Sequence, residues 1–137
     1  MVEPTLVADV LGVKAKTMRD LSKAVQQGLP KQALQRTTHR IFSAAGDARR
    51  LLIKVVPEAT YKRRTRLNLQ ESERTERLAR LIATAEHVWS SREDAQQWLV
   101  TTHPELENQT PLQCAMTELG ARRVEDLLDR IFYGLPA

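Results

Sequence analysis

The chain has 137 residues, of which 42% are hydrophobic, and a formal net charge of +4 at pH 7. No apolar run approaches the roughly 20 residues that a helix needs to cross a bilayer, and the start lacks the basic flank and apolar stretch of a signal peptide. We therefore expect a cytoplasmic protein that does not enter a membrane, and its single cysteine, Cys114, excludes an intramolecular disulfide.

Charge is unevenly distributed along the chain. Residues 1–70 carry 14 Lys and Arg against 5 Asp and Glu, a net charge of +9, whereas residues 71–137 carry 7 against 12, a net charge of −5. Apolar spacings of three and four recur throughout, which predicts an all-α fold. We expect two small domains, a basic one over residues 1–67 for nucleic acid and an acidic one over residues 68–137 for a protein partner.

The first elements of the chain are separated by glycine and proline. Residues 4–11 form a short apolar segment, and a helix is predicted from near Thr17 to a C-terminal cap at Gly28. A third, less sharply patterned helix is predicted over residues 33–42. Residues 1–24 carry no motif that assigns a role, so they either complete the first domain or form its dimer contact.

A fourth helix and a short basic helix follow, with a break between them. Apolar spacing over residues 48–55 predicts the fourth helix, with Asp47 as its N-cap. Pro57 interrupts this helix because it cannot donate the bond that a continuing helix needs. A new helix is expected over residues 58–64, with Tyr61 inward. This order of elements outlines a helix-turn-helix.

Basic residues surround this break on both sides. Such side chains could bind phosphates on both sides of a groove while the outward face of the short helix approaches base edges. The predicted DNA contacts are Arg49, Arg50, Glu58, Thr60, Lys62, Arg63, Arg64 and Arg66. The alternative is a basic surface that pairs with the acidic half of the same or another chain.

Polar capping groups mark three helix starts in the second half. They are Asn68 with Glu71, Ser91 with Asp94, and Thr110 with Gln113. The last helix is predicted over residues 120–132. We expect Trp89 and Trp98 to pack against each other in the core, Met116 to face inward and Cys114 to be buried. Tyr133 either anchors a partner or covers the bottom of the core.

The residues typical of catalysis and metal binding are not combined into a recognisable site. His39, His87 and His103 are far apart and lack a second His or Cys at ligand spacing. The sequence contains no phosphate loop, dinucleotide fingerprint or nucleophile elbow. The acidic side chains of residues 125–129 lie beside arginines, which is typical of solvated ion pairs. We therefore expect no catalytic residue, metal or cofactor, and a protein that is not an enzyme.

Several short motifs follow one another in a specific order and spacing. In the second half they are residues 71–74 (ESER), 77–80 (RLAR), 98–99 (WL), 110–112 (TPL), 120–128 (GARRVEDLL) and 130–134 (RIFYG). Together they resemble the toxin-binding domain of the Xre/MbcA/ParS antitoxins. Residues 28–30 (GLP) and 60–64 (TYKRR) are more loosely similar to the Xre-like helix-turn-helix region of that family. Where the family commonly has a glycine between the two helices, this chain has Val55, so we expect a turn of different shape.

The resemblance implies a type II antitoxin whose partner is a RES-domain toxin, an enzyme that consumes NAD or transfers its ADP-ribose. The second domain would cover the toxin's active site, because a pocket for the pyrophosphate of NAD is electropositive and attracts an acidic surface. The expected toxin contacts are Arg122, Glu125, Asp126, Asp129, Arg130, Tyr133 and Gly134. The first domain would bind operator DNA as a homodimer and autoregulate the operon.

Two other functions compete with this one. The first is a stand-alone helix-turn-helix transcriptional regulator whose second half binds a ligand or only dimerises. The second is an enzyme in its own right. A neighbouring gene for a RES-domain toxin would favour the antitoxin, whereas catalysis by the purified chain alone would favour the enzyme.

Overall fold

The computed structural model describes residues 2–136, and within them the only regular secondary structure is helical. The helices are α1 (Pro4–Leu11), α2 (Met18–Gln27), α3 (Lys31–Ile41), α4 (Ala45–Val55), α5 (Glu58–Arg63), α6 (Leu69–Trp89), α7 (Arg92–Leu99), a 3-10 turn (Pro104–Leu106), α8 (Pro111–Cys114) and α9 (Glu118–Phe132). The predicted all-α fold is confirmed. In this part of the chain no helix is long and apolar enough to span a membrane.

These residues form two compact units, which are described separately. One comprises Glu3–Arg80, and the other begins at Leu81 and includes Val2. The division therefore falls inside α6, whereas the charge pattern divides the chain after residue 67. Functional domains over residues 1–67 and 68–137 stay a prediction.

The first unit has a core of aliphatic side chains from its first four helices. α1 packs on α3, and α3 packs on α4. The apolar positions recur every three or four residues, so each helix buries one face. The buried side chains include Val7, Leu11, Leu21, Leu34, Ile41, Ala48, Leu51 and Val55.

The first turns of α6 complete this unit through hydrogen bonds to distant backbone. The buried hydroxyl of Ser72 accepts a hydrogen bond from the backbone N–H of Leu29 at 2.9 Å, and Leu67 N–H donates to the Leu29 carbonyl at 2.8 Å. The guanidinium of Arg74 donates to the carbonyl of Val55, the last residue of α4, at 3.4 Å. The N-terminal part of α6 thus belongs to the first unit although it follows the charge boundary.

Most of the predicted helix ends are confirmed. Thr17 caps α2 in a capping box with Asp20, and Gly28 ends that helix with φ +91°. The other three capping groups form as predicted: Asn68 with Glu71, Ser91 with Asp94, and Thr110 with Gln113. These pairs were predictable because each lies within four residues of sequence.

Three local predictions are wrong. Asp47 is not the N-cap of α4, because Ala45 and Gly46 are already helical and Asp47 lies inside the first turn, where it pairs with Arg50. α9 begins at Glu118 and not at Gly120, since the Thr117 hydroxyl accepts from the Gly120 N–H and caps the helix two residues earlier. Met116 is 37% exposed, because it falls in the turn between α8 and α9.

The second unit packs α7, α8 and α9 with the C-terminal part of α6. Its largest fully buried side chains are Leu81, Ile82, Leu99, Leu106, Val124, Leu127 and Leu128. Trp89 and Trp98 pack against each other as predicted, with ring centroids 6.3 Å apart, although both are half-buried. Cys114 is buried, also as predicted.

Candidate functional site

The break between α4 and α5 needs no left-handed backbone. Val55 is the last residue of α4 and is buried, while Val56 and Pro57 make the turn with φ of −136° and −54°. A β-branched residue is therefore compatible with this turn, in which glycine would have no conformational advantage.

Tyr61 fixes the orientation of α5. It is half-buried, its hydroxyl donates to the Lys31 carbonyl at 3.3 Å, and the Lys31 ammonium lies 5.0 Å from its ring centroid. Burial raises the pKa of the Tyr61 phenol. With Tyr61 on the inner side, the opposite face of α5 is exposed, as predicted.

Four of the predicted DNA contacts form an exposed basic surface across α4 and α5. We define this basic surface as Arg49, Arg50, Lys62 and Arg63. Glu58 lies within it, because its carboxylate pairs with Arg49 and lies 3.5 Å from the Lys62 ammonium. The charge of Arg49, followed by its hydrogen bond and the charge of Lys62, holds the pKa of Glu58 below its usual range.

Two other predicted DNA contacts also make intramolecular bonds, as Arg49 does with Glu58 and Arg50 with Asp47. Arg64 forms two hydrogen bonds of 3.1 and 3.3 Å with the largely buried carboxylate of Glu71. Arg66 donates to the Gly28 carbonyl at 2.8 Å. Both arginines therefore tie the segment after α5 to other parts of the first unit. Thr60 is half-buried.

A groove of about 370 Å³ opens beside the basic surface, between α3, α4 and α5. Leu52 and Ile53 contribute apolar lining, and Arg49, Glu58 and Lys62 also line it. The lining residues that sequence patterns did not place here include Gln35, Thr38 and His39, all from α3. No local signal predicts them, because α3 and α5 are adjacent only in the folded unit.

The predicted toxin contacts lie along α9 and the segment that follows it. We define this C-terminal surface as Arg122, Glu125, Asp126, Asp129, Arg130, Tyr133 and Gly134. Tyr133 is 67% exposed, which excludes the alternative that it covers the core of this unit. Phe132 and His87 lie beside this surface. The centroid of the Phe132 ring is 5.1 Å from that of Tyr133 and 5.0 Å from that of His87.

Arg130 holds Leu135 and Pro136 against the last turn of α9. Its side chain lies 3.2 Å from the Glu105 carboxylate and 3.3 Å from the Asp126 carboxylate, and it donates to the Pro136 carbonyl at 3.3 Å. The Leu135 N–H donates to the Arg130 carbonyl at 2.8 Å, which Gly134 permits with φ +68°. Tyr133 is thus presented on a folded turn.

Comparison with known families decides what this second unit is. Residues 84–134 match the family model of the antitoxin Xre/MbcA/ParS C-terminal toxin-binding domain. Residues 84–134 are therefore similar to an antitoxin-type toxin-binding domain. The match confirms the predicted resemblance for residues 84–134, which include every residue of the C-terminal surface. The looser similarity of residues 28–30 and 60–64 to a helix-turn-helix region stays a prediction. No curated protein matches the chain.

The second unit contains a further ion-pair network that the sequence did not predict. Both carboxylate oxygens of Glu107 accept hydrogen bonds of 2.8 Å from Arg123, which also donates to the Glu105 carbonyl at 2.9 Å. The hydrogen bond from Arg123 holds the pKa of Glu107 below its usual range. The loop after α7 is thereby fastened to α9.

Neither unit shows a candidate metal centre in the part of the chain that the structure describes. Among residues 2–136, no group of three or more His, Cys, Asp or Glu side chains is placed to hold a metal ion. The free thiol of Cys114 is buried, and it lies 3.7 Å from the Gly120 carbonyl.

Proposed function

We propose that this chain is the antitoxin of a type II toxin-antitoxin system and that its partner is a RES-domain toxin that consumes NAD or ADP-ribosylates a protein. The observation that carries the proposal is the match of residues 84–134 to a toxin-binding domain. In this proposal the C-terminal surface occludes the toxin's active site, so the enzymatic activity belongs to the partner.

The shape and charge of the C-terminal surface support this role. Tyr133 offers a large, exposed ring beside Phe132, and such aromatic residues commonly dominate binding energy. Asp126 is exposed on the same helix. A pocket that binds the pyrophosphate of NAD must be electropositive, so carboxylates at its mouth would be attracted to it.

Binding to the toxin tests this proposal. The chain is co-expressed with the gene beside it, and the affinity of the purified complex is compared with that of a full-length variant with alanine at 125, 126, 129 and 133. We expect a large loss of affinity and recovery of NAD consumption. A control with Glu93→Ala and Asp94→Ala removes two acidic groups from α7. Unchanged affinity in the four-alanine variant would overturn the assignment.

We further propose that the first domain binds operator DNA as a homodimer and represses the operon. The exposed basic surface at the α4–α5 break supports this role, since its four cations lie on two helices joined by a short turn. Arg64 and Arg66 contribute indirectly in this proposal, by holding the segment after α5.

The DNA-binding proposal predicts a salt-sensitive shift of the operon's own promoter fragment. Lys62→Ala with Arg63→Ala should weaken this shift, whereas Arg19→Ala with Lys23→Ala, on the exposed part of α2, should weaken it less. Equal affinity for every sequence at near-physiological salt would contradict operator recognition.

A further inference from the structure

Glu58 occupies an unusual position for an acidic residue, in the middle of the basic surface. It is the first residue of α5, and one carboxylate oxygen, Oε1, faces both Arg49 of α4 and Lys62 one turn further along α5. All three side chains are exposed, Arg49 to 62%, Lys62 to 73% and Glu58 to 46%. One carboxylate is thus shared by two of the four cations that are proposed to meet DNA.

This arrangement contributes little to the stability of the fold. Exposed ion pairs are screened by water and salt, and holding two long side chains in place costs entropy. The core of the first unit and the inward contacts of Tyr61 already position α5. Replacement of the carboxylate by an amide is therefore compatible with an unchanged fold.

The same arrangement has a large effect on an approaching duplex. A phosphate that binds Arg49 or Lys62 must come close to the negative charge of the Glu58 carboxylate, which already pairs with both cations. Because neighbouring cations hold the pKa of Glu58 below its usual range, the carboxylate remains charged at neutral pH. Glu58 thus weakens contacts to the sugar-phosphate backbone, which are the same for every sequence.

An ionised carboxylate can only accept hydrogen bonds. A base can therefore compensate for the weakened phosphate contacts only by donating a hydrogen bond to Glu58. In the major groove the favoured donor to Glu or Asp is the N4 amino group of cytosine. A duplex that presents cytosine at this position recovers an interaction, whereas a duplex that presents an acceptor adds repulsion.

We propose that Glu58 is a specificity-determining residue that lowers affinity for duplex DNA in general and selects a C·G base pair opposite the start of α5. This inference rests on the proposed DNA-binding function. It differs from that function in predicting that loss of an acidic side chain makes general binding tighter and recognition poorer.

The test compares the full-length protein with Glu58→Gln and with a matched control, Glu73→Gln, which removes an equal charge from an exposed position on α6. Binding to a duplex of scrambled sequence is measured by fluorescence anisotropy at several salt concentrations. Each protein is also used to select duplexes from a randomised pool. Circular dichroism melting checks that both variants fold.

We expect Glu58→Gln to bind the scrambled duplex about tenfold tighter than wild type at about 0.1 M salt. The slope of the logarithm of the binding constant against the logarithm of the salt concentration should become steeper by about one or two. The affinity of the control, Glu73→Gln, for the scrambled duplex should differ much less from that of wild type. Duplexes selected by the wild-type protein should share a C·G pair at one position, and those selected by Glu58→Gln should lose that preference.

Two results would overturn the inference, and they are distinguishable. If the wild-type protein binds duplex DNA but Glu58→Gln binds no tighter than Glu73→Gln, or selects the same base pairs as wild type, the role of Glu58 is wrong and DNA binding stands. If the wild-type protein binds no duplex even at low salt, the DNA-binding function and the inference both fail.

Discussion

At the scale of single residues, Tyr133 is the side chain on which toxin binding should depend most. It is 67% exposed at the end of α9 and is held on a turn whose backbone bonds to Arg130. Tyr133→Ala should reduce toxin affinity by at least about tenfold, because truncation of an aromatic anchor commonly costs about 2 kcal/mol or more. Tyr133→Phe keeps the ring and should retain most of the affinity. Equal losses in titration calorimetry would assign the effect to the hydroxyl instead.

Gly120 is the residue whose small size matters most in the second unit. A Cβ atom added there would lie 1.8 Å from the Cys114 carbonyl oxygen. The backbone of α8 and the start of α9 would therefore have to move apart. Gly120→Ala should therefore destabilise this unit by about 1–3 kcal/mol or more in denaturant unfolding. The control is Gly46→Ala, in the first turn of α4, whose added Cβ meets only Arg50 at 4.0 Å. That variant should not be destabilised.

At the scale of elements, the helices and their caps follow from local sequence, but the partners of charged side chains do not. Asn68 and Glu71 cap each other from three residues apart, and this pair was predicted. The bond from Arg66 to the Gly28 carbonyl spans 38 residues, so no local pattern indicates it. Among the predicted phosphate contacts, Arg64 bonds to Glu71 and Arg66 to the Gly28 carbonyl, in addition to the ion pairs that Arg49 and Arg50 make.

The start of α6 is the element that most clearly departs from the charge pattern. Its residue Ser72 is buried and accepts from the Leu29 N–H. Ser72→Ala should leave that buried donor without its partner and cost about 1–3 kcal/mol of unfolding free energy in the first unit. Ser22→Ala, at an exposed position of α2, provides the control. Equal stability of both variants in urea unfolding would contradict the proposed closure of this unit by α6.

The loop between α7 and α8 should show an acid-dependent contribution to stability. Arg123 holds the pKa of Glu107 below its usual range in the folded state, so the ionised carboxylate stabilises the fold above the unfolded-state pKa. This contribution is lost as pH falls through the lowered folded pKa. The small difference in Tm between wild type and Glu107→Gln should therefore be present near neutral pH and vanish in acid. A difference in Tm between the two proteins that grows as pH falls would contradict this direction of the pH dependence.

At the scale of the whole molecule, the basic surface and the C-terminal surface are proposed to bind different partners, DNA and a toxin. The similarity of residues 84–134 to an antitoxin toxin-binding domain was predictable, because the motifs at residues 98–99, 110–112, 120–128 and 130–134 occur there in a specific order. The position of the groove beside the basic surface was not predictable, because it requires α3 and α5 to meet in the folded unit. The DNA-binding task is supported only by the exposed charge and the short α4–α5 break.

The most direct measurement is the NAD content of cells that express the toxin gene together with full-length variants of this chain. One variant carries Asp126→Ala and Tyr133→Ala, and the other carries Lys62→Ala and Arg63→Ala. With equal antitoxin levels from a foreign promoter, NAD should fall with the first variant and remain at the wild-type level with the second. Preserved NAD with the first variant and depleted NAD with the second would contradict toxin neutralisation by the C-terminal surface.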